Sequence, residues 1–82
     1  MKLPRNLSGA QLASLLRRYG YEVTRHTGSH LRLTSSAKAG QHHVTIPAHR
    51  SLRVGTLSGI IVDVAAYLGM SKEALAEELF GT

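Results

Sequence analysis

Residues 30–34 read HLRLT and residues 43–46 read HVTI, and in both stretches polar and apolar side chains alternate. Such an alternation, with a period of two, predicts β-strands with one buried and one polar face. Residues 21–26, YEVTRH, repeat the pattern more weakly, with Tyr21 and Val23 on one side. Three short strands joined by short connections favour an antiparallel meander.

Helices are predicted on either side of these strands. Residues 8–19 form the first, because Ser8 begins an S-x-x-Q capping box and the apolar residues that follow share one helical face. Residues 56–68 form the second, with apolar side chains at helical spacing. Ser71 caps a third, short helix that ends at Phe80. The order α-β-β-β-α plus a terminal helix predicts an α+β fold, in which two helices cover one face of an antiparallel three-stranded sheet.

The predicted sheet has an apolar face and a polar face. The face toward the helices holds Tyr21, Val23, Leu31, Leu33, Val44 and Ile46. The opposite face holds Glu22, Thr24, His26, His30, Arg32, Thr34, His43 and Thr45. It has no large aliphatic residue, so we expect it to be solvated or bound to a polar partner.

Basic residues are concentrated in the first two thirds of the chain. Residues 1–53 carry nine Lys/Arg and one acid, a net charge of +8. Residues 54–82 carry one Lys and four acids, a net charge of −3, and the two segments sum to the +5 of the whole chain. This asymmetry favours a polyanionic partner such as nucleic acid on one side, although small proteins can also be basic for solubility alone.

Length and composition exclude several classes of protein. The 82 residues are expected to form a single domain, residues 1–82. Cysteine is absent, which excludes disulfides and thiolate metal sites. The longest apolar stretch, residues 60–68, is interrupted by an aspartate and is too short to span a bilayer. The N-terminus lacks the apolar run of a signal peptide, so we expect a cytoplasmic protein without a membrane partner.

Five histidines in 82 residues are an excess, and imidazole can transfer protons near neutral pH. One interpretation is a metal site. The basic body, however, holds a single acid, Glu22, and the neighbours His42 and His43 point to opposite faces of a strand. We therefore expect no metal and no cofactor. A second interpretation is that some histidines are polar surface residues without a role, to which we assign His26 and His42.

The third interpretation is metal-free cleavage of RNA. The 2′-hydroxyl must lose a proton, the leaving 5′-oxygen must gain one, and the charge on the phosphate must be stabilised, tasks that suit histidine and arginine. His30, Arg32 and His43 share one face by the alternation. The sequence has no nucleophilic-serine, phosphate-loop or dinucleotide motif, and its few aromatic residues disfavour base stacking on the sheet. Composition and spacing alone indicate a basic α/β domain that binds RNA.

Three short motifs follow one another along the chain: Gly28-Ser29-His30, Ile46-Pro47-Ala48-His49 and Gly55-Thr56-Leu57. Together with Tyr19-Gly20-Tyr21 after the opening helix, they resemble the HicA (YcfA-like) toxin family over about residues 7–68. The resemblance implies a fold like the double-stranded-RNA-binding domain and the activity of a ribosome-independent mRNA interferase, an endoribonuclease. It also implies a cognate HicB antitoxin that covers the active site.

The resemblance further implies roles for individual residues. The histidine of the family's G-S-H motif is catalytic, which is His30 here, and Gly28 and Ser29 match the turn that presents it. His49 matches the histidine of a P-x-H motif, for which a structural hydrogen bond and catalysis are both open. The stretch Arg25-x-x-Gly28-Ser29-His30 also resembles that family. With the polar sheet face included, the expected substrate-binding residues are Arg25, Gly28, Ser29, Arg32, His43 and His49.

Two other functions fit the same surface. A non-catalytic RNA-binding module of the same fold predicts equally salt-sensitive RNA binding but no new RNA ends. The polar sheet face can instead be a protein-docking surface, which is compatible with a toxin because an antitoxin would occupy it.

Overall fold

The elements of the protein follow one another in the predicted order in a computed structural model that describes residues 2–81. They are α1 (Gly9–Leu16), a 3₁₀ turn (Arg17–Tyr19), β1 (Glu22–Thr27), β2 (His30–Ser35), β3 (His42–Pro47), α2 (Val54–Leu68) and α3 (Lys72–Phe80). The strands form one antiparallel sheet in the order β1-β2-β3. The predicted α+β fold with an open three-stranded sheet is confirmed.

The first helix begins as the capping box predicts. Ser8 Oγ accepts a hydrogen bond from the backbone N–H of Gln11 (3.0 Å), and the Gln11 side chain accepts one from the backbone N–H of Ser8 (2.9 Å). These bonds satisfy two N–H groups that a helix leaves unpaired at its start. The last three residues of the predicted helix tighten into the 3₁₀ turn, and Gly20 then adopts a φ of +84°, which redirects the chain toward β1.

The hydrophobic core lies between the helices and one face of the sheet. The predicted inward residues of β2 and β3 are all buried: Leu31, Leu33, Val44 and Ile46. They pack against the apolar faces of the helices, including Leu12, Leu16, Leu57, Ile61, Val64 and Leu75. A slip of one residue in either strand would turn these side chains to solvent, so their burial fixes the strand register and with it the composition of the opposite face.

β1 departs from strict alternation at Thr24. Val23 pairs with Leu33 and Arg25 pairs with Arg32, which leaves Thr24 as an extra residue opposite β2. This is a β-bulge, in which two residues of one strand oppose a single residue of the other. Thr24 and Arg25 consequently both line a depression on the polar face of the sheet.

The bulge corrects one placement made from the sequence. His26 pairs with the buried Leu31 and lines a groove against α1, so the prediction that it belongs to the polar face is wrong. Val23 lies opposite Leu33 on the helix side, as predicted, but β1 is an edge strand and Val23 stays 48% exposed. It therefore contributes little to the core.

The two C-terminal helices complete the fold. α2 begins at Val54, two residues before the predicted start, and ends at the predicted Leu68. α3 is capped by Ser71, whose Oγ accepts a hydrogen bond from the backbone N–H of Ala74 at 3.0 Å. Within residues 2–81 no single helix is long and apolar enough to cross a membrane; α2 and α3 together pass on length and composition but are bent by 109° relative to each other.

Candidate active site

The sheet face opposite the helices is polar and open to solvent. A shallow depression of about 330 Å³ near its centre is lined by Thr24, Arg25, Arg32, Thr34, Gln41 and His43. His30 lies on the same face at the end of β2, two residues before Arg32. Among the described residues, no acidic side chain lines the depression. The open face therefore combines cationic and imidazole groups in a form suited to an anionic ligand.

His30 is presented by a tight hairpin. It is the first residue of β2 and follows the turn Gly28–Ser29, in which Gly28 has a φ of +49° that other residues adopt only with strain. Its backbone is held from both sides, because its Cα partners are Thr27 on β1 and Pro47 on β3. The side chain is exposed, and its Nδ1 lies 3.5 Å from Ser29 Oγ, where a hydrogen bond is weak. A rigid backbone thus carries an accessible imidazole.

Arg25 and Arg32 lie directly opposite each other on β1 and β2. Both side chains are exposed, and neither forms an ion pair with a carboxylate within residues 2–81. Like charges opposite each other in a sheet are destabilising. A bound anion would neutralise that repulsion, and arginine can bind a phosphate through two parallel N–H donors. The pair is therefore a candidate phosphate contact next to His30.

A chain of hydrogen bonds links the side chains of all three strands. Thr24 Oγ1 lies 2.9 Å from Thr34 Oγ1, and Thr34 Oγ1 lies 2.8 Å from His43 Nδ1. Thr24 Oγ1 also donates to the carbonyl oxygen of Arg32 over 3.3 Å. These bonds hold the exposed His43 ring in one orientation, unlike the loosely held ring of His30.

The sheet register separates the two histidines. His30 begins β2 and pairs with Pro47, whereas His43 pairs with Thr34, four residues further along β2. At the rise of a strand this is a separation of about 13 Å, against about 7 Å for Arg32. The prediction that His30, Arg32 and His43 share a face agrees with the register, but His43 is too distant to act on the same bond as His30.

His49 lies beyond the end of β3, near the turn that precedes His30. The backbone N–H of Ala48 donates to the carbonyl oxygen of Ser29 (2.7 Å), and the backbone N–H of Gly9 donates to that of His49 (2.9 Å). Among the described residues, the His49 hydrogen bond is made by its backbone, and its side chain is exposed. The Ser29 turn, the end of β3 and the start of α1 thus converge at one end of the sheet.

His42, which the sequence interpretation left without a role, is a packing residue on the helix side. Its side chain is 19% exposed, and its Nδ1 lies 2.7 Å from the Tyr21 hydroxyl. Its Nε2 lies 3.1 Å from Asp63 Oδ1, and its ring stacks on Tyr67 with centroids 4.8 Å apart. Burial, followed by the nearby Tyr67 and Asp63, raises the pKa of Tyr21. The position of His42 two residues before the buried Val44 could have indicated this inward orientation.

No carboxylate among residues 2–81 forms an ion pair with a histidine of the open face. Within residues 2–81, no group of three His, Cys, Asp or Glu side chains is arranged to hold a metal ion. The one ion pair in that part of the chain, His42–Asp63, lies on the helix side. The chemistry available on the open face is therefore proton transfer by imidazole and charge stabilisation by arginine.

The family model described as the HicA toxin of bacterial toxin–antitoxin systems matches residues 9–65, more than half of the chain. The chain belongs to the HicA toxin family. The matched residues run from the start of α1 into α2, so they include the whole sheet and its open face. As a HicA toxin the protein belongs to a toxin–antitoxin system, and it therefore has an antitoxin as partner. Neither the curated proteins nor the solved structures give a significant match.

Proposed function

We propose that this HicA toxin is a metal-independent endoribonuclease that cleaves single-stranded mRNA, with His30 as its catalytic residue. The observation that carries the proposal is the position of His30. It is an exposed imidazole on a rigid strand end, about 7 Å along the strand from Arg32. Arg25 lies opposite Arg32 and adds a second positive charge. This combination supplies a proton-transfer group beside a phosphate-binding pair.

The proposed reaction uses the RNA's own 2′-hydroxyl. The 2′-oxygen gives up its proton and bonds to the adjacent phosphorus, the bond from phosphorus to the 5′-oxygen breaks, and the 5′-oxygen takes a proton. The products are a 2′,3′-cyclic phosphate and a 5′-hydroxyl. His30 transfers a proton in this exchange, and Arg32 stabilises the negative charge that develops on the phosphate oxygens.

The remaining residues predicted to bind substrate have supporting roles in this proposal. Gly28 and Ser29 form the turn that presents His30, and Arg25 joins Arg32 in holding the RNA backbone. His43 contacts RNA away from the scissile bond, since the register separates it from His30. His49 borders the same end of the sheet and is the next candidate for proton transfer if His30 is not the catalytic group.

One feature favours a second candidate function, a non-catalytic RNA-binding module. Among residues 2–81, the nearest hydrogen-bonding partner of the His30 ring is Ser29 at 3.5 Å, and no carboxylate orients it. A histidine held this loosely could contact a phosphate without transferring a proton. Both functions predict binding that weakens with salt, and only the endoribonuclease produces new RNA ends.

A HicB-type antitoxin is the proposed protein partner. The open face carries Arg25 and Arg32 without ion-pair partners among the described residues, so an acidic antitoxin surface would fit it and would exclude RNA. Such charge complementarity accelerates association and makes it sensitive to salt. Because mRNA is the proposed target, the proposed site of action is the cytoplasm.

The proposed activity is tested by incubating the pure protein with end-labelled single-stranded RNA in EDTA. We expect fragments that end in a cyclic phosphate, and no fragments from the same RNA with every 2′-hydroxyl methylated. Binding to the labelled RNA without fragments would favour the binding module. Loss of cleavage in EDTA with recovery on addition of Mg²⁺ or Zn²⁺ would overturn the metal-independent mechanism.

A further inference from the structure

Three groups of polar side chains follow one another along the open face of β2. His30 lies at the turn, Arg32 lies two residues on with Arg25 opposite it, and Thr34 lies two residues further with His43 opposite it. Residues two apart on a strand point to the same face and are separated by about 7 Å. This spacing is close to the separation of successive phosphates in an extended RNA strand.

We propose that these three groups are consecutive subsites for single-stranded RNA, one nucleotide each, with the RNA backbone running alongside β2. The inference rests on the proposed function, which puts the scissile phosphate at His30. The Arg25–Arg32 pair then binds the next phosphate, and from there the positive charge of Arg32 also stabilises the negative charge that develops on the scissile phosphate. His43 accepts a hydrogen bond from the nucleotide after that.

The second subsite is argued from charge. Arg25 and Arg32 oppose each other across two strands, and neither has an ion-pair partner among the described residues. A phosphate between them would neutralise a repulsion that the free protein retains, and both guanidinium groups can donate to it. No other pair of basic side chains in residues 2–81 lies in direct cross-strand register.

The third subsite is argued from hydrogen-bond directions. All the bonds of the chain form together only if Thr24 donates to the Arg32 carbonyl, Thr34 donates to Thr24, and His43 donates to Thr34 through Nδ1–H. The neutral His43 ring then has Nε2 as an acceptor. An ordered acceptor of this kind can receive a hydrogen bond from a base or a ribose hydroxyl.

The subsites extend to one side of the scissile bond only. At His30 the sheet ends, because the Gly28–Ser29 turn closes β1 and β2 and because Pro47 is the last residue of β3. In the other direction β2 continues to Thr34 and beyond. The proposal therefore predicts an asymmetric footprint on the RNA.

The test uses oligonucleotides whose cleavage position is fixed. Each substrate has a single ribose, at the scissile position, and deoxyribose elsewhere. One phosphate at a time is replaced by a methylphosphonate, which is uncharged. A methylphosphonate in place of the phosphate next to the scissile one, on one side only, should lower kcat/KM about 10- to 100-fold, because a charge-assisted hydrogen bond is lost. The phosphate on the other side should have little effect.

The third subsite is tested with His43→Ala and with Thr34→Val, which removes the hydroxyl but keeps the shape. Each should lower kcat/KM about 2- to 10-fold on substrates that include the third nucleotide. Neither should change it on substrates that end before that nucleotide. His26→Ala is the matched control, because His26 is also exposed but lies on the helix side.

A second set of methylphosphonate oligonucleotides contains only deoxyribose and cannot be cleaved. Their binding to the protein separates the subsite proposal from the endoribonuclease proposal. If the wild type cleaves RNA but the scan is flat or symmetric and His43→Ala behaves like His26→Ala, the subsites are overturned and the endoribonuclease stands. If no RNA is cleaved but methylphosphonates weaken binding to the wild type and not to Arg25→Gln, phosphate binding by the Arg25–Arg32 pair stands and the endoribonuclease falls.

Discussion

Replacing Arg25 by glutamine should stabilise the free toxin while weakening its binding to RNA. Arg25 and Arg32 are directly opposed, and the unpaired like charges cost about 0.2–1 kcal/mol of folding free energy. For 82 residues at about 2.1 cal/mol/K of unfolding entropy each, relief of that cost raises Tm by about 1–6 °C. Glutamine keeps much of the side-chain length, so the change in charge dominates.

Two measurements check this prediction. Thermal unfolding at low salt should show the rise in Tm, which should disappear near 1 M salt, where the screening length is only about 3 Å. For RNA binding, the slope of log affinity against log salt should decrease in magnitude by about 0.7, the value for one lost phosphate contact on a single strand. Arg17→Gln, on the helix side of the sheet, is the control for the same change in net charge. A lower Tm, or an unchanged salt slope, would refute the reasoning.

Two further predictions concern stability. Gly9→Ala should lower the free energy of unfolding by about 1–3 kcal/mol, because the added Cβ would lie 2.0 Å from the Pro47 carbonyl oxygen. The control is Gly55→Ala, whose Cβ would have no atom within 4 Å. In the same denaturant titration it should not destabilise the protein. Burial and then Glu78 raise the pKa of Tyr19 to about 12. The folded state thus holds that proton more tightly than the unfolded state. The stability advantage over Tyr19→Phe should be full below about pH 10 and disappear as the pH rises through about 12. Thermal unfolding of both proteins across this pH range measures the advantage. An advantage that persists above about pH 12 would contradict the assignment of the raised pKa to Tyr19.

The parts of the fold that follow from local patterns were predictable from the sequence. The alternation around Leu31 and Leu33 set the register of β2, because burying those leucines decides which face of the strand is toward the helices. The S-x-x-Q box set the start of α1, since Ser8 and Gln11 satisfy each other's backbone groups without help from the rest of the chain. His30 and Arg32 were placed on the open face for the same reason.

The parts that depend on contacts distant in sequence were not predictable in this way. The stretch around Thr24 is entirely polar, so no apolar residue marks the bulge that exchanges the faces of Arg25 and His26. The environment of His42 depends on Asp63 in α2, which the packing of α2 against the sheet brings within 3.1 Å. The alternation of residues along a strand does not show which helix residue will contact the strand.

The central claim is tested most directly by the rate of RNA cleavage by His30→Ala, measured in EDTA on an end-labelled single-stranded RNA. His26→Ala is the matched control, because it also removes an exposed histidine but from the other side of the sheet. Loss of a general acid–base group lowers a rate about 10²–10⁴-fold. We expect a loss of that size for His30→Ala, with the Tm and most of the RNA affinity unchanged, and little loss for His26→Ala. A folded His30→Ala protein that cleaves RNA at the wild-type rate would contradict the assignment of His30 as the catalytic residue.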